Sequence, residues 1–222
     1  SALVVHETVS AEGFSRKTVS YAAPHGETIQ AFLFEPHGRR AGTPVVALHQ
    51  HNSEWSLGKS EIAGLAGDSL QAFGPALARA GVIVLAPDAL GFESRSGAAG
   101  HGAALAPRIT KPHGTVDGWL QYYNHAMHRL VRGELLIRKI LADVTAAVTA
   151  LQALAGACRV GLVGHSYAGS VALFEAALDM RVAFACSSGA ACSYRYKLAH
   201  GTGLEMALVI PGFAQRFDFD DL

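Results

Sequence analysis

In residues 159–170, RVGLVGHSYAGS, a Val-rich run leads to a serine between small residues, and a helix-like segment, SVALFEAAL, follows. A serine at the apex of strand, sharp turn and helix is forced into strained backbone angles that expose its hydroxyl. Strand and helix then approach so closely that only small residues fit two places before and after it. Gly164 and Ala168 meet that requirement. The pattern points to Ser166 as a nucleophile for an acyl carbonyl, which needs a base for its proton and donors for the oxyanion. A serine that merely caps a helix would produce a similar string. The preceding strand, the following helix and the late position in an alternating pattern favour the nucleophile.

The donors are sought in VVALHQHNSEW, residues 45–55, a polar turn at the end of an apolar run. In this architecture one oxyanion amide comes from such a turn and the other from the residue after the serine. That assigns the backbone N–H of Tyr167 and that of His51 or Asn52. His49, Tyr122 and Tyr123 are candidate substrate contacts. His49 and His51 could suggest a metal pair, but no Asp, Glu or His partner at recognisable spacing accompanies them, so neither metal nor cofactor is expected. His125 and His128 share a face if their segment is helical, and are read as lid or solvent-facing residues. His165 adjoins the serine but points elsewhere by chain geometry, as a packing residue.

A base is harder to find. His200 is the only histidine after Ser166 and lies in a Gly-flanked loop, with Asp218, Asp220 and Asp221 beyond it. A Ser, His, Asp order is geometrically permissible, since triads recur in unrelated orders. The other reading of His200 is a surface loop. Asp179 stands at the wrong end of its strand.

The elements that must position these groups follow from the apolar pattern. Alternation in FSRKTVSYAAP and TIQAFLFEP predicts an antiparallel pair over residues 14–36. TPVVALHQ (43–50), GVIVLAPDA (81–89), CRVGLVG (158–164) and RVAFACSSG (181–189) are short and almost wholly apolar, as expected for parallel strands buried on both faces. DSLQAFGPALARAG (68–81) reads as a helix capped by Asp68, with Leu70, Phe73 and Leu77 inward, Gly81 as its stop and Pro75 as an irregularity. ELLIRKILADVTAAVTALQALAG (134–156) is the clearest helix, burying Ile137, Leu141, Val144, Val148 and Leu151 and ending at Gly156. Residues 94–128, rich in Gly, Pro and His, form a lid-like insertion over the sheet edge where ligands bind.

With half of 222 residues apolar, the chain is long enough for one sizeable core. Eighteen basic and eighteen acidic residues balance, and no basic cluster suggests nucleic acid or anionic lipid. A small-molecule partner, and a possible homo-oligomer, are expected instead. Cys158, Cys186 and Cys192 lack paired spacing, and Cys158 and Cys186 fall in or beside strand-like runs where a thiol packs as a small hydrophobe. Reduced thiols, no signal-like start and no long apolar stretch together suggest a cytoplasmic protein without a membrane segment.

LHQHNSEW, APDALGFESR, GHSYAG and SSGAACSYR occur in the order and spacing of the α/β-hydrolase superfamily. From about residue 28 onward the chain resembles the dienelactone-hydrolase-like and acetyl-xylan-esterase-like branch. The resemblance implies a serine hydrolase cleaving a carboxylic ester through an acyl-enzyme on Ser166, with the segment from His49 to Asn52 as oxyanion loop. Asp88 and Glu93 match the polar turn after the next strand and are read as structural contacts. The family order is Ser, then Asp or Glu, then His, and residues 190–222 resemble the helical excursion that precedes the strands carrying the last two. The expectation is a three-layer α/β/α sandwich with a mostly parallel sheet, truncated after its sixth strand and before its last two. It is one domain over 1–222, C-terminally incomplete and without catalytic acid and histidine. The alternative is an inactive hydrolase-like binding or scaffold protein.

Overall fold

The computed structural model describes residues 2–96 and 115–222. Among the described residues seven strands form one sheet: β1 Val4–Ala11, β2 Phe14–Ala22, β3 Thr28–Pro36, β4 Val45–Leu48, β5 Val84–Pro87, β6 Val160–His165 and β7 Val182–Ser188. Their spatial order is β1-β2-β3-β5-β4-β6-β7. The first three strands pair antiparallel, as do β3 and β5, and β5, β4, β6 and β7 run parallel. The helices are α1 Lys59–Ile62, α2 Phe73–Arg79, α3 Thr115–Val131, α4 Leu136–Ala155, α5 Tyr167–Leu178, α6 Tyr194–Ala199 and α7 Phe213–Arg216. The predicted three-layer architecture is present.

Strand periodicity builds the layers. Leu33, Val46, Leu48 and Leu85 face one core with α4 and α5, whereas Phe32, Phe34, Ala47, Val84 and Ala86 face a second with α1 and α2. Successive side chains point to opposite faces, so a strand between two helical layers is apolar at every position. α4 follows the predicted stripe and ends at Gly156, whose φ of 62° is the left-handed conformation that closes a helix. α5 is buried almost all round.

Five expectations need correction. The sheet has a seventh strand, because β1 pairs with β2 although its side chains are nearly all exposed and show no burial pattern. Leu70 is 80% exposed rather than inward. Asp68 caps only a 3-10 turn over Ser69–Gln71, and the helix proper begins at Phe73, which places Pro75 in its first turn, where its missing N–H has no partner to lose. β7 is not buried on both faces: in the sheet of the described residues it is an edge strand, as β1 is at the other side, and Phe184 is 45% exposed. Cys158 and Cys186 are exposed free thiols rather than packed ones. Of the lid-like insertion at 94–128, residues 97–114 lie outside the described residues, while Thr115–His128 belong to α3.

No described helix is long and apolar enough to cross a membrane.

Candidate active site

β4 is followed in the sheet by β5 on one side and β6 on the other, so the chain changes winding direction there. The loops leaving β4 and β6 splay apart at such a switch point and leave a crevice at their carboxyl ends. Ser166 leaves β6 there, and the segment from His49 to Asn52 leaves β4.

Ser166 has φ 55° and ψ −127°, a strained conformation for a residue with a Cβ, which costs about 1–3 kcal/mol unless its surroundings over-determine it. They do. Its N–H donates to the Ser188 carbonyl at 2.8 Å, and its own carbonyl accepts from the N–H of Gly169 at 2.9 Å. A Cβ on Gly164 would lie 2.5 Å from the Ala168 carbonyl carbon, and one on Gly169 2.7 Å from the Ala190 Cβ. Strand and helix therefore meet as closely as the sequence requires, with alanine sufficing at 168. Among the described residues the Tyr167 N–H has no acceptor, and neither have the N–H groups of His51 and Asn52.

The β4 loop is held by its histidines. His49 is buried; its Nδ1–H donates to the Gln50 carbonyl at 2.9 Å and its Nε2 accepts from the Ala89 N–H at 3.0 Å. Both ring nitrogens are engaged inside the protein. The His51 ring is surrounded by Trp55, Phe92, Tyr122 and Tyr167, with ring centroids 4.7, 5.1, 5.3 and 5.9 Å away. Its Nδ1 accepts from the Ser53 N–H at 3.0 Å and its Nε2 faces Glu205 Oε1 at 3.6 Å. Burial lowers the His51 pKa, Glu205 opposes that, and His49 adds to it; the net direction is down. Asn52 and Ser53 have φ of 42° and 52°, so this loop too carries strain. Gly118 of α3 admits the Trp55 ring, since a Cβ there would fall 2.3 Å from the indole Cγ.

Tyr122 is buried in this cluster, and burial above all, then Tyr167 and Glu205, raises its pKa. Tyr123 is partly exposed on α3. His125 lies on the same helix, its pKa lowered by burial and by Arg129 and Arg95. The structure does not bring His200 to Ser166: it ends α6, exposed, stacked 4.0 Å from Tyr196, with Nδ1–H donating to the Tyr196 carbonyl. Asp218 accepts from Ser193 Oγ and from the N–H groups of Tyr194, Arg195 and Phe219, which anchors the tail to α6. His165 Nδ1 contacts Ser188 Oγ at 3.0 Å, a packing position. Among the described residues the Ser166 hydroxyl has no hydrogen-bond partner, and no group of three or more His, Cys, Asp or Glu could hold a metal.

Asp88 and Glu93 are structural contacts, as expected. Lys59 Nζ donates to Asp88 at 2.7 Å and to Glu93 at 2.6 Å, and the Lys59 N–H also reaches Asp88. A small cavity of about 30 Å³, room for about two waters, lies between sheet and helices, lined by Tyr21, Asp88, Asp143 and Tyr167. Ser166 does not line it. Sequence reasoning missed Trp55, Phe92 and Glu205 around His51, and Lys59 beneath the loops. Trp55 is the last residue of the quoted segment VVALHQHNSEW and was open to recognition there, whereas Glu205 lies in a segment with no periodic or motif signal.

The model of the alpha/beta hydrolase family matches residues 37–221. No curated protein matches the chain. Among solved structures, a candidate acetyl xylan esterase of Bacteroides fragilis is similar with a TM-score of 0.70 and 15% identity, over 100% of this chain and 59% of that one. Acetyl xylan esterase 1 of a Thermoanaerobacterium species has a TM-score of 0.56 and 17% identity, over 97% and 61%. An acetyl xylan esterase of a Paenibacillus species has 0.54 and 18%, over 96% and 62%. At such identities the likeness is one of fold, and the chain spans about three fifths of the length of these structures.

Proposed function

The chain belongs to the alpha/beta hydrolase family, and from that premise we propose that it is an ester hydrolase working through an acyl-enzyme on Ser166. The observation that carries the reading is the backbone of Ser166 itself, at φ 55° on the apex between β6 and α5. Strain of this kind persists only where the surroundings enforce it, and it clusters at functional sites.

In this reading the Ser166 hydroxyl oxygen attacks the ester carbonyl and the carbonyl oxygen becomes an oxyanion. The N–H groups of Tyr167 and of His51 or Asn52 receive it, and the positive end of α5 adds to its stabilisation. The proton lost by Ser166 passes through water to the ester alkoxide oxygen as the C–O bond breaks, so the alcohol leaves and the acyl group stays on Ser166, from which a second water releases it as the acid and restores the hydroxyl. A small-molecule ester is the partner, and the acetyl xylan esterases of like fold make a short acyl group a reasonable first substrate to test. His49 belongs to the wall of the site, and Tyr122 to its aromatic side. Without a histidine and acid at Ser166, oxyanion hole and positioning alone would supply roughly 10³–10⁴-fold acceleration.

That same point supports the second reading, a hydrolase-like binding or scaffold protein, because no described histidine or carboxylate bonds to Ser166. A fluorophosphonate probe separates the two. The enzyme reading expects covalent labelling at Ser166, found by peptide mapping and abolished by Ser166→Ala. Labelling at another residue overturns the nucleophile assignment, and an unlabelled chain favours the second reading.

A further inference from the structure

His51 is placed unlike a surface loop histidine. Four rings enclose it, and each ring nitrogen has a distinct neighbour. A nitrogen that accepts a backbone N–H carries no proton, so Nδ1 is bare and the single proton of the neutral ring sits on Nε2, towards the Glu205 carboxylate. At 3.6 Å this second contact is electrostatic rather than a direct hydrogen bond. The ring thus spans from the turn it belongs to, through the Ser53 N–H, to a residue beyond β7.

We propose that His51 is a positioning residue: its neutral ring latches the β4 loop so that the N–H groups of His51 and Asn52 face the crevice, and protonation at Nδ1 releases the latch. This rests on the reading of Ser166 as nucleophile. The chemistry is direct. An imidazolium carries N–H at both nitrogens, so Nδ1–H would point at Ser53 N–H, donor against donor, and the turn must open. The strain at Asn52 and Ser53, both with positive φ, then has only the bond from the Glu54 N–H to the His51 carbonyl, at 3.2 Å, to oppose it within the turn. The cage sets the titration. Burial among the rings, and His49 behind the loop, disfavour the cation, and Glu205 favours it. Tyr122 and Tyr167, the other titratable groups against the ring, are buried phenols pushed far above neutral pH and stay uncharged. The loop is therefore latched at neutral pH and unlatched in acid, and Glu205 sets where the change falls.

Two measurements on the whole chain test this. Nitrogen-15 NMR of the imidazole rings, with His51 assigned by its disappearance in His51→Gln, should show an unprotonated Nδ1 and a protonated Nε2 at pH 7. Acid should protonate the ring with a midpoint below that of ordinary histidines, and Glu205→Gln should move that midpoint lower still. The rate of fluorophosphonate labelling of Ser166 should fall on the acid side with the His51 midpoint, and shift with it in Glu205→Gln. A purely structural His51 would leave that limb unmoved. The opposite tautomer, or a labelling limb that ignores Glu205→Gln, overturns the latch. If Ser166 is not labelled at any pH, the hydrolase reading fails, and the NMR arm still decides whether His51 titrates as a latch.

Discussion

Lys59 has a side chain only 6% exposed, yet it carries a charge beneath the loops that leave β4 and β5. Burial alone would depress its pKa; Asp88 and Glu93 outweigh that and hold it above the ordinary lysine value. A Cβ on Gly58 would lie 2.4 Å from Asp88 Oδ1, so the carboxylate also occupies the space of a missing side chain. Removing one partner of a buried ion pair strands the others, which is more damaging than never having built the pair. Lys59→Met should cost roughly 3 kcal/mol, near the lower end of the buried range because Glu93 reaches solvent. In a chain of this size that lowers Tm by roughly 6–12 °C, measurable by calorimetry. At this scale the sequence revealed what turn chemistry announces. Ser166, Gly164 and Ala168 were recognisable because the elbow restricts residue types at fixed offsets. The pairing of His51 with Glu205 was not, because contact between residues far apart in sequence depends on how the segment after β7 folds back.

The contact between α4 and α5 holds a second buried acid. Glu175 is 1% exposed and its carboxyl is pushed up to about 7. Burial is the main cause, the Thr145 hydroxyl lowers it, Asp179 raises it and Arg181 lowers it. Thr145 Oγ lies 2.7 Å from Glu175 and 2.9 Å from the Leu141 carbonyl, and has one proton for two acceptors. A protonated Glu175 resolves this, donating to Thr145 while Thr145 donates to Leu141. With the folded pKa above the unfolded value of 4.5, the native state holds its proton more tightly. The resulting stability is complete below pH 4.5 and is lost as pH rises through about 7. Glu175→Gln, which mimics the protonated acid, should fold well and flatten the decline in denaturation midpoint between pH 5 and 8; an unchanged slope would exclude this role. Elements were legible in proportion to their burial. β4, β5 and β6 stand between helical layers and read as continuous apolar runs. β1, exposed along its length, carries no such mark, and β7 has the composition of an inner strand but an outer position.

At the scale of the whole 222-residue chain, that edge position in the described sheet matters. Beside β7, Leu178 is 72% and Met180 92% exposed, with Phe184 adding a half-exposed ring. Edge strands with apolar neighbours are templates for association. Sedimentation velocity should show self-association that grows with concentration, and Met180→Lys should weaken it without lowering Tm, since Met180 buries almost nothing in the fold. A monomer of unchanged behaviour in both chains would remove this face from consideration. The layered architecture was readable from alternation between strand and helix, whereas which strand lies outermost was not, because a strand's sequence does not say what neighbours it.

The bond from the Ala89 N–H to His49 Nε2 joins the loop after β5 to the loop after β4, strands adjacent in the sheet but far apart in sequence. Those two loops are consequently a single unit of inheritance and exchange. A graft that replaces either one alone, from a relative with another residue at position 49, leaves a half-buried amide with no acceptor. Altered specificity at this rim is therefore to be sought by transplanting both loops together.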